Sequence, residues 1–142
     1  MQSFNPLRAR GPAIALTAAI VALTLTTAYI HLSLGGLLFT LNAIGYAVLA
    51  AAVAVGSIPH PLISRFSWLP RLGLAGFTAV TIGAYLVIGP YFSLGWIAKA
   101  VETAILALLA ADVVRVYGSP GGLVRAAAST LGRPDAGPMR TA

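Results

Sequence analysis

Lys99 and Glu102 stand one helical turn apart near the start of the apolar run Trp96 to Tyr117, and Asp112 and Arg115 stand one turn apart near its end. On insertion scales, an ionised side chain at the centre of a membrane-crossing helix costs roughly 2.5–3.5 kcal/mol. Charges retained in such a segment therefore face protein or water, and they mark ligand sites, ion paths and proton relays. A helix N-terminus disfavours Lys and favours Glu, and Lys before Glu is the weaker order for an intrahelical pair. Helix stability alone therefore does not account for Lys99 and Glu102. The pair reads either as a functional site or as a structural clasp bonded to Asn42, Tyr46 or Tyr85; snorkelling would also carry Lys99 to the outer interface. Asp112 lies on another face and reads as an interfacial partner of Arg115.

The other polar residues of the apolar runs recur at helical spacing. Thr17, Thr24, Thr27 and His31 share one face; Asn42 and Tyr46 a second; Thr78, Thr81 and Tyr85 a third; Lys99, Glu102 and Thr103 a fourth. All four stripes are expected to point into one interior. His31, Asn42, Tyr85, Lys99 and Glu102 each fall within about two turns of the outer ends of their helices. With Tyr46 they make up a candidate intramembrane polar site that opens outward. For His31 and Asn42 the plainer reading is favoured, in which each satisfies a neighbour or meets interfacial water.

Other chemistry has little to draw on. There is no cysteine, so thiolate metal sites and cysteine nucleophiles are excluded. His31 and His60 sit at opposite membrane faces and cannot both ligate one haem, and no His, Asp or Glu cluster has metal spacing. Nucleophile elbows, phosphate loops and paired catalytic carboxylates are absent. No catalytic residue, metal or cofactor is expected, and an enzyme is the least favoured class. A lipid- or quinone-modifying enzyme would have to work through His31 or Glu102.

These residues are carried by a chain of 142 residues, 58% hydrophobic and only 8% charged, with a mean hydropathy of +0.90. A soluble domain carries about 25% charged residues, so lipid is the solvent that fits, and the expected class is an all-α polytopic membrane protein. Its four-helix bundle should span about 12–34, 37–55, 72–89 and 96–117, within a membrane domain of residues 1–117. Gly35-Gly36, Gly56 with Pro59 and Pro61, Gly89-Pro90 and Gly118 to Gly122 interrupt the runs. The connector Ile58 to Arg71 should lie in the interface, with Trp68 as an anchor, and Tyr91, Phe92 and Trp96 should form an aromatic belt on the opposite side. Residues 118–142 read as a basic tail, with a short surface helix over Leu123 to Leu131 and disorder from Gly132. A cleaved signal peptide ending near Ala28 competes for the first run, but the apolar stretch continues beyond it.

Nine Lys and Arg against three acids give a net charge of +6. Nucleic-acid binding is a poor reading of that charge, because the arginines report topology. With four spans, Arg8, Arg10, Arg65, Arg71, Arg115, Arg125, Arg133 and Arg140 all fall on one side. The positive-inside rule puts that side, with both termini, in the cytoplasm of a bacterial inner membrane. Small residues should line the helix contacts: Gly73, Gly76, Ala79 and Gly83 in the third span, Ala43, Ala47, Ala50 and Ala54 in the second, and Ala100, Ala104, Ala107 and Ala111 in the fourth. A weak repeat sets Ser33-Leu34-Gly35 against Ser93-Leu94-Gly95 and Asn42 against Glu102, suggesting two pseudosymmetric helical hairpins.

The stretches Tyr29 to Asn42 and Ile97 to Glu102 resemble those of small, uncharacterised four-helix integral membrane proteins of high-GC bacteria, over residues 12–117. The resemblance implies a fold and a membrane location but no activity. Two functions remain. The first is association, as a subunit or scaffold of a membrane assembly or as a homo-oligomer, with the bilayer and a membrane protein or second copy as partners. The second is a small transporter or proton-coupled protein whose titratable groups are His31, Lys99 and Glu102.

Overall fold

The computed structural model describes residues 6–132, with side chains from residue 11 onward. The tail beyond Gly132, expected to be disordered, and the side chains of Arg8 and Arg10 lie outside the described residues. Among those described there are six helices and no strand: α1 (Pro6–Leu34), α2 (Leu37–Gly56), α3 (Pro61–Arg65), α4 (Trp68–Ile88), α5 (Ser93–Tyr117) and α6 (Pro120–Leu131). Three are long and apolar enough to cross a membrane: α1 over Gly11–Leu34, α2 and α4. At 25 residues α5 is of comparable length, and it carries all four of the ionisable residues with which the sequence reading began.

Glycine sets the turns. Gly35 and Gly36 have φ of +71° and +84°, a backbone that disfavours any Cβ, and they fold α2 back on α1. Gly118 closes α5 at φ +74°, its N–H donating to the Val114 carbonyl. α1 packs most extensively on α2 and next on α5, while α4 completes the bundle between α2 and α5 with sparser contact. Ile20, Tyr46, Val53, Leu74, Ile105 and Leu109 fill the interior. The Phe77 ring occupies the space at Gly45, where a Cβ would come within 2.6 Å of Cζ. The ends joined by the Gly35-Gly36 and Gly89-Pro90 turns form the hairpin end of the bundle, and α3 and α6 lie at the basic end.

Several boundaries differ from the sequence reading. α1 begins at Pro6, so Pro12 lies inside it, beyond the first turn, where a proline forgoes a backbone bond at a real cost rather than the negligible one of a first-turn position. α4 begins at Trp68 because Pro70 fits its first turn. Arg71 is therefore a buried helical residue rather than part of an interfacial connector. Trp68 is no surface anchor: it is 7% exposed and packs with Val113 and Leu123 under α6. The connector keeps only the short α3, capped by His60 Nδ1, which accepts from the Leu62 N–H. The expected surface helix does form, capped by Ser119 and turning Leu123 inward and Arg125 outward.

The small-residue seams are mostly not internal. Ala43 and Ala50 are buried and Gly73 meets Leu49, but Gly76, Ala79 and Gly83 face outward, as do Ala47, Ala54, Ala100, Ala107 and Ala111. Ala104 is half-buried. The polar stripes and bulky aliphatic residues share the interior, which leaves the small side chains on the opposite faces. The repeated tripeptide also does two different jobs: Ser33 to Gly35 ends α1, whereas Ser93 to Gly95 opens α5 and leaves Gly95 helical and buried against Tyr85.

Candidate functional site

Glu102 is the centre of the hairpin-end polar network and has no exposed surface. Lys99, one turn earlier on α5, donates to its Oε2 at 2.5 Å. Thr27 of α1 donates to Oε1 at 3.3 Å, and Thr81 of α4 to Oε2 at 3.2 Å. The Tyr46 hydroxyl of α2 lies 2.7 Å from Thr81 Oγ1. Each of the four long helices thus sends one polar group to, or one step from, a single carboxylate. The ammonium and the two threonine hydroxyls together meet both carboxylate oxygens.

His31 completes the cluster from the end of α1 and is 4% exposed. Its Nδ1 lies 2.8 Å from the Thr27 carbonyl oxygen; that oxygen only accepts, so Nδ1 carries the hydrogen. Nε2 faces Glu102 Oε1 at 3.6 Å. The imidazole is held between the Phe39 and Tyr46 rings, with centroids 6.2 Å and 5.5 Å away.

Beside the network lies a cavity of about 270 Å³, walled mainly by apolar side chains from both hairpins, among them Leu34, Leu38, Phe39, Val80, Ala84 and Ile88. Its polar lining is His31, Asn42, Thr81, Tyr85 and Lys99. The Lys99 ammonium spends two contacts on Glu102 and the Thr81 carbonyl, which leaves one of its three donors. It stands 5.4 Å from the centre of the Tyr85 ring. Tyr85 itself donates to the Phe92 carbonyl at 3.3 Å and packs edge-on against Trp96. Asn42 is half-buried, and its amide has no protein partner among the described residues.

The structure therefore brings all six sequence-selected residues to one end of the bundle, though in different roles. Glu102, Lys99, His31 and Tyr46 form the network, and Asn42 and Tyr85 line the cavity. Of the plainer reading, in which His31 and Asn42 each satisfy a neighbour or meet interfacial water, His31 takes the first form, bonding the Thr27 carbonyl and facing Glu102; Asn42 is half-buried and has no protein partner among the described residues. Thr27 and Thr81 were seen only as stripe members, yet both touch the carboxylate; their place four residues before His31 and Tyr85 was the available signal. Thr103, expected inside, faces outward and bonds the Lys99 carbonyl.

A second cluster holds one residue more than the sequence pair. Asp112 is 1% exposed and accepts from Arg71 Nε at 2.7 Å as well as from Arg115 Nη2 at 2.5 Å. The expected pairing with Arg115 is present, and from its buried position the carboxylate also bridges α5 to Arg71 of α4. The partner missing from the sequence reading was Arg71, forty-one positions away. Among the described residues no group of three or more His, Cys, Asp or Glu is arranged to hold a metal ion. No family model, no curated protein and no solved structure matches the chain.

Proposed function

We propose that this chain is a small integral membrane protein in which α5 crosses the bilayer with α1, α2 and α4. Its hairpin end binds a small, mainly apolar molecule bearing one hydrogen-bond-accepting or anionic end. The observation that carries this reading is the convergence of the spare Lys99 donor, His31 and the unpartnered Asn42 amide on an otherwise apolar cavity. A few polar groups directed into an apolar hollow are the usual make-up of a small-molecule site. Below the site the interior is closed by Ile20, Leu74, Ile105 and Leu109, which favours binding over conduction through a single copy. Arg65, Arg71, Arg115 and Arg125 at the opposite end favour placing that end in the cytoplasm. The cavity then opens toward the outer leaflet of a bacterial inner membrane.

Association is the second reading, and the outward small-residue faces of α4 and α5 favour it. Gly76, Ala79 and Gly83, with Ala100, Ala107 and Ala111, are not used inside the bundle, and such faces let membrane helices approach closely. Extraction of the protein from its own membrane into nanodiscs, followed by mass spectrometry of what remains bound, separates the two. A stoichiometric small amphiphile supports the site. A stoichiometric protein partner without any such molecule supports association instead.

A further inference from the structure

The basic end of the bundle encloses more positive than negative charge. Arg71, with a side chain 4% exposed, gives Nε to Asp112 Oδ2 and Nη1 to the Ser67 carbonyl, both at 2.7 Å. Its Nη2 has no protein acceptor among the described residues. Arg115, 39% exposed, holds the other Asp112 oxygen. The only other acid among the described residues is Glu102, at the hairpin end. Two guanidiniums therefore share one carboxylate, and a net positive charge remains where the buried Arg71 meets the exposed Arg115, a place an anion would fit.

Both arginines line a cleft of about 630 Å³ between the start of α1, the end of α2 and the α4–α5 pair. Its α1 wall is mainly apolar, with Ile14, Ala18 and Val21 around a single Thr17 hydroxyl, and Ile14 is 67% exposed, so the wall continues onto the outer face of the bundle. A planar guanidinium fork matches phosphate oxygens, and basic pockets between membrane helices suit acidic head groups. We propose that this cleft binds an acidic phospholipid, its phosphate bridging Arg71 and Arg115 and an acyl chain lying along Ile14, Ala18 and Val21. Free phosphate offers the same oxyanion but leaves the apolar wall uncovered.

The test uses the full chain in nanodiscs of mixed phosphatidylglycerol and phosphatidylcholine with matched acyl chains, and counts retained lipid by native mass spectrometry. Phosphatidylglycerol should be retained about tenfold over phosphatidylcholine, the ratio for one charge-assisted contact of roughly 1.5 kcal/mol. Arg115→Gln should remove most of that preference. Ala18→Trp, which fills the apolar wall and leaves the ion cluster intact, should remove retention while helicity and unfolding temperature are preserved. Inorganic phosphate added to pure phosphatidylcholine nanodiscs should leave the unfolding temperature unchanged. Equal retention of the two lipids by the wild type overturns the proposal, as does full preference in a folded Ala18→Trp. A phosphate-induced shift equal to that of phosphatidylglycerol overturns it in favour of a soluble anion. Should Arg115→Gln not fold, the wild-type lipid ratio and Ala18→Trp decide alone.

Discussion

Replacing Lys99 and Glu102 singly and together separates the energetics of the polar network from its use. The pair is 2.5 Å apart with side chains 9% and 0% exposed, so removing one partner strands a charge where little water can reach it. Stranding a buried charge costs about 3–5 kcal/mol. Glu102→Gln also weakens the acceptor of Thr27 and Thr81, and Lys99→Met leaves the carboxylate with hydroxyl donors only. The double variant, Lys99→Met with Glu102→Gln, removes both charges and keeps the amide oxygen for the threonines. Its cost should fall to about 1–2 kcal/mol, within the range seen when buried ion pairs give way to neutral groups. Coupling between the sites should then exceed about 2 kcal/mol, well beyond the error of additivity. Unfolding titrated with a denaturing detergent, followed by helical circular dichroism, gives all four corners of the cycle. Single variants that each cost under about 1 kcal/mol, or costs that simply add, would refute a tightly coupled buried pair.

At the basic end, Asp112→Asn leaves Arg71 without its carboxylate and should destabilise by about 3–5 kcal/mol, whereas Arg115→Gln, at the exposed arm of the cluster, should cost about 1 kcal/mol or less in the same unfolding assay. Gly95→Ala puts a Cβ into the Tyr85 ring and should cost about 1–3 kcal/mol, most of it recovered with Tyr85→Leu. Gly76→Ala meets nothing within 4 Å and should leave the unfolding midpoint within about 0.5 kcal/mol of the wild type. Because the chain has no cysteine, single cysteines report sidedness without background. Ser93→Cys should react with an impermeant maleimide in intact cells and Ser129→Cys only after permeabilisation; the reverse pattern would invert the proposed topology.

The all-helical class and the three helices apolar and long enough to cross a membrane were legible because lipid demands long uncharged runs, and glycine and proline mark their ends. The hairpin-end cluster was legible for a related reason: polar side chains are costly enough in apolar helices that they converge, and helical spacing puts Thr27 with His31 and Lys99 with Glu102. Pairing across the bundle was not legible. Arg71 looked like a connector residue because it follows Pro70, and only the packing of α4 on α5 brings it to Asp112. Trp68 looked like an interface anchor until α6 covered it. The small-residue faces failed for a general reason, since helical periodicity finds a face but does not say whether protein or lipid meets it. The turn residues were read correctly as turns, yet the Ser-Leu-Gly repeat misled, because the same three residues end one helix and begin another.

The central claim is that the hairpin-end cavity holds a small amphiphile, and occupancy compared between the wild type and Ala84→Trp tests it most directly. Ala84 lines the cavity and faces outward, so a tryptophan there takes up the hollow while the Lys99–Glu102 pair itself is left in place. Both proteins would be purified from the same membranes into nanodiscs and their bound small molecules weighed by native mass spectrometry. The account predicts one molecule per chain on the wild type and none on a variant whose unfolding temperature is unchanged. Equal occupancy in the two, or a wild type that carries nothing beyond bulk lipid, would contradict it.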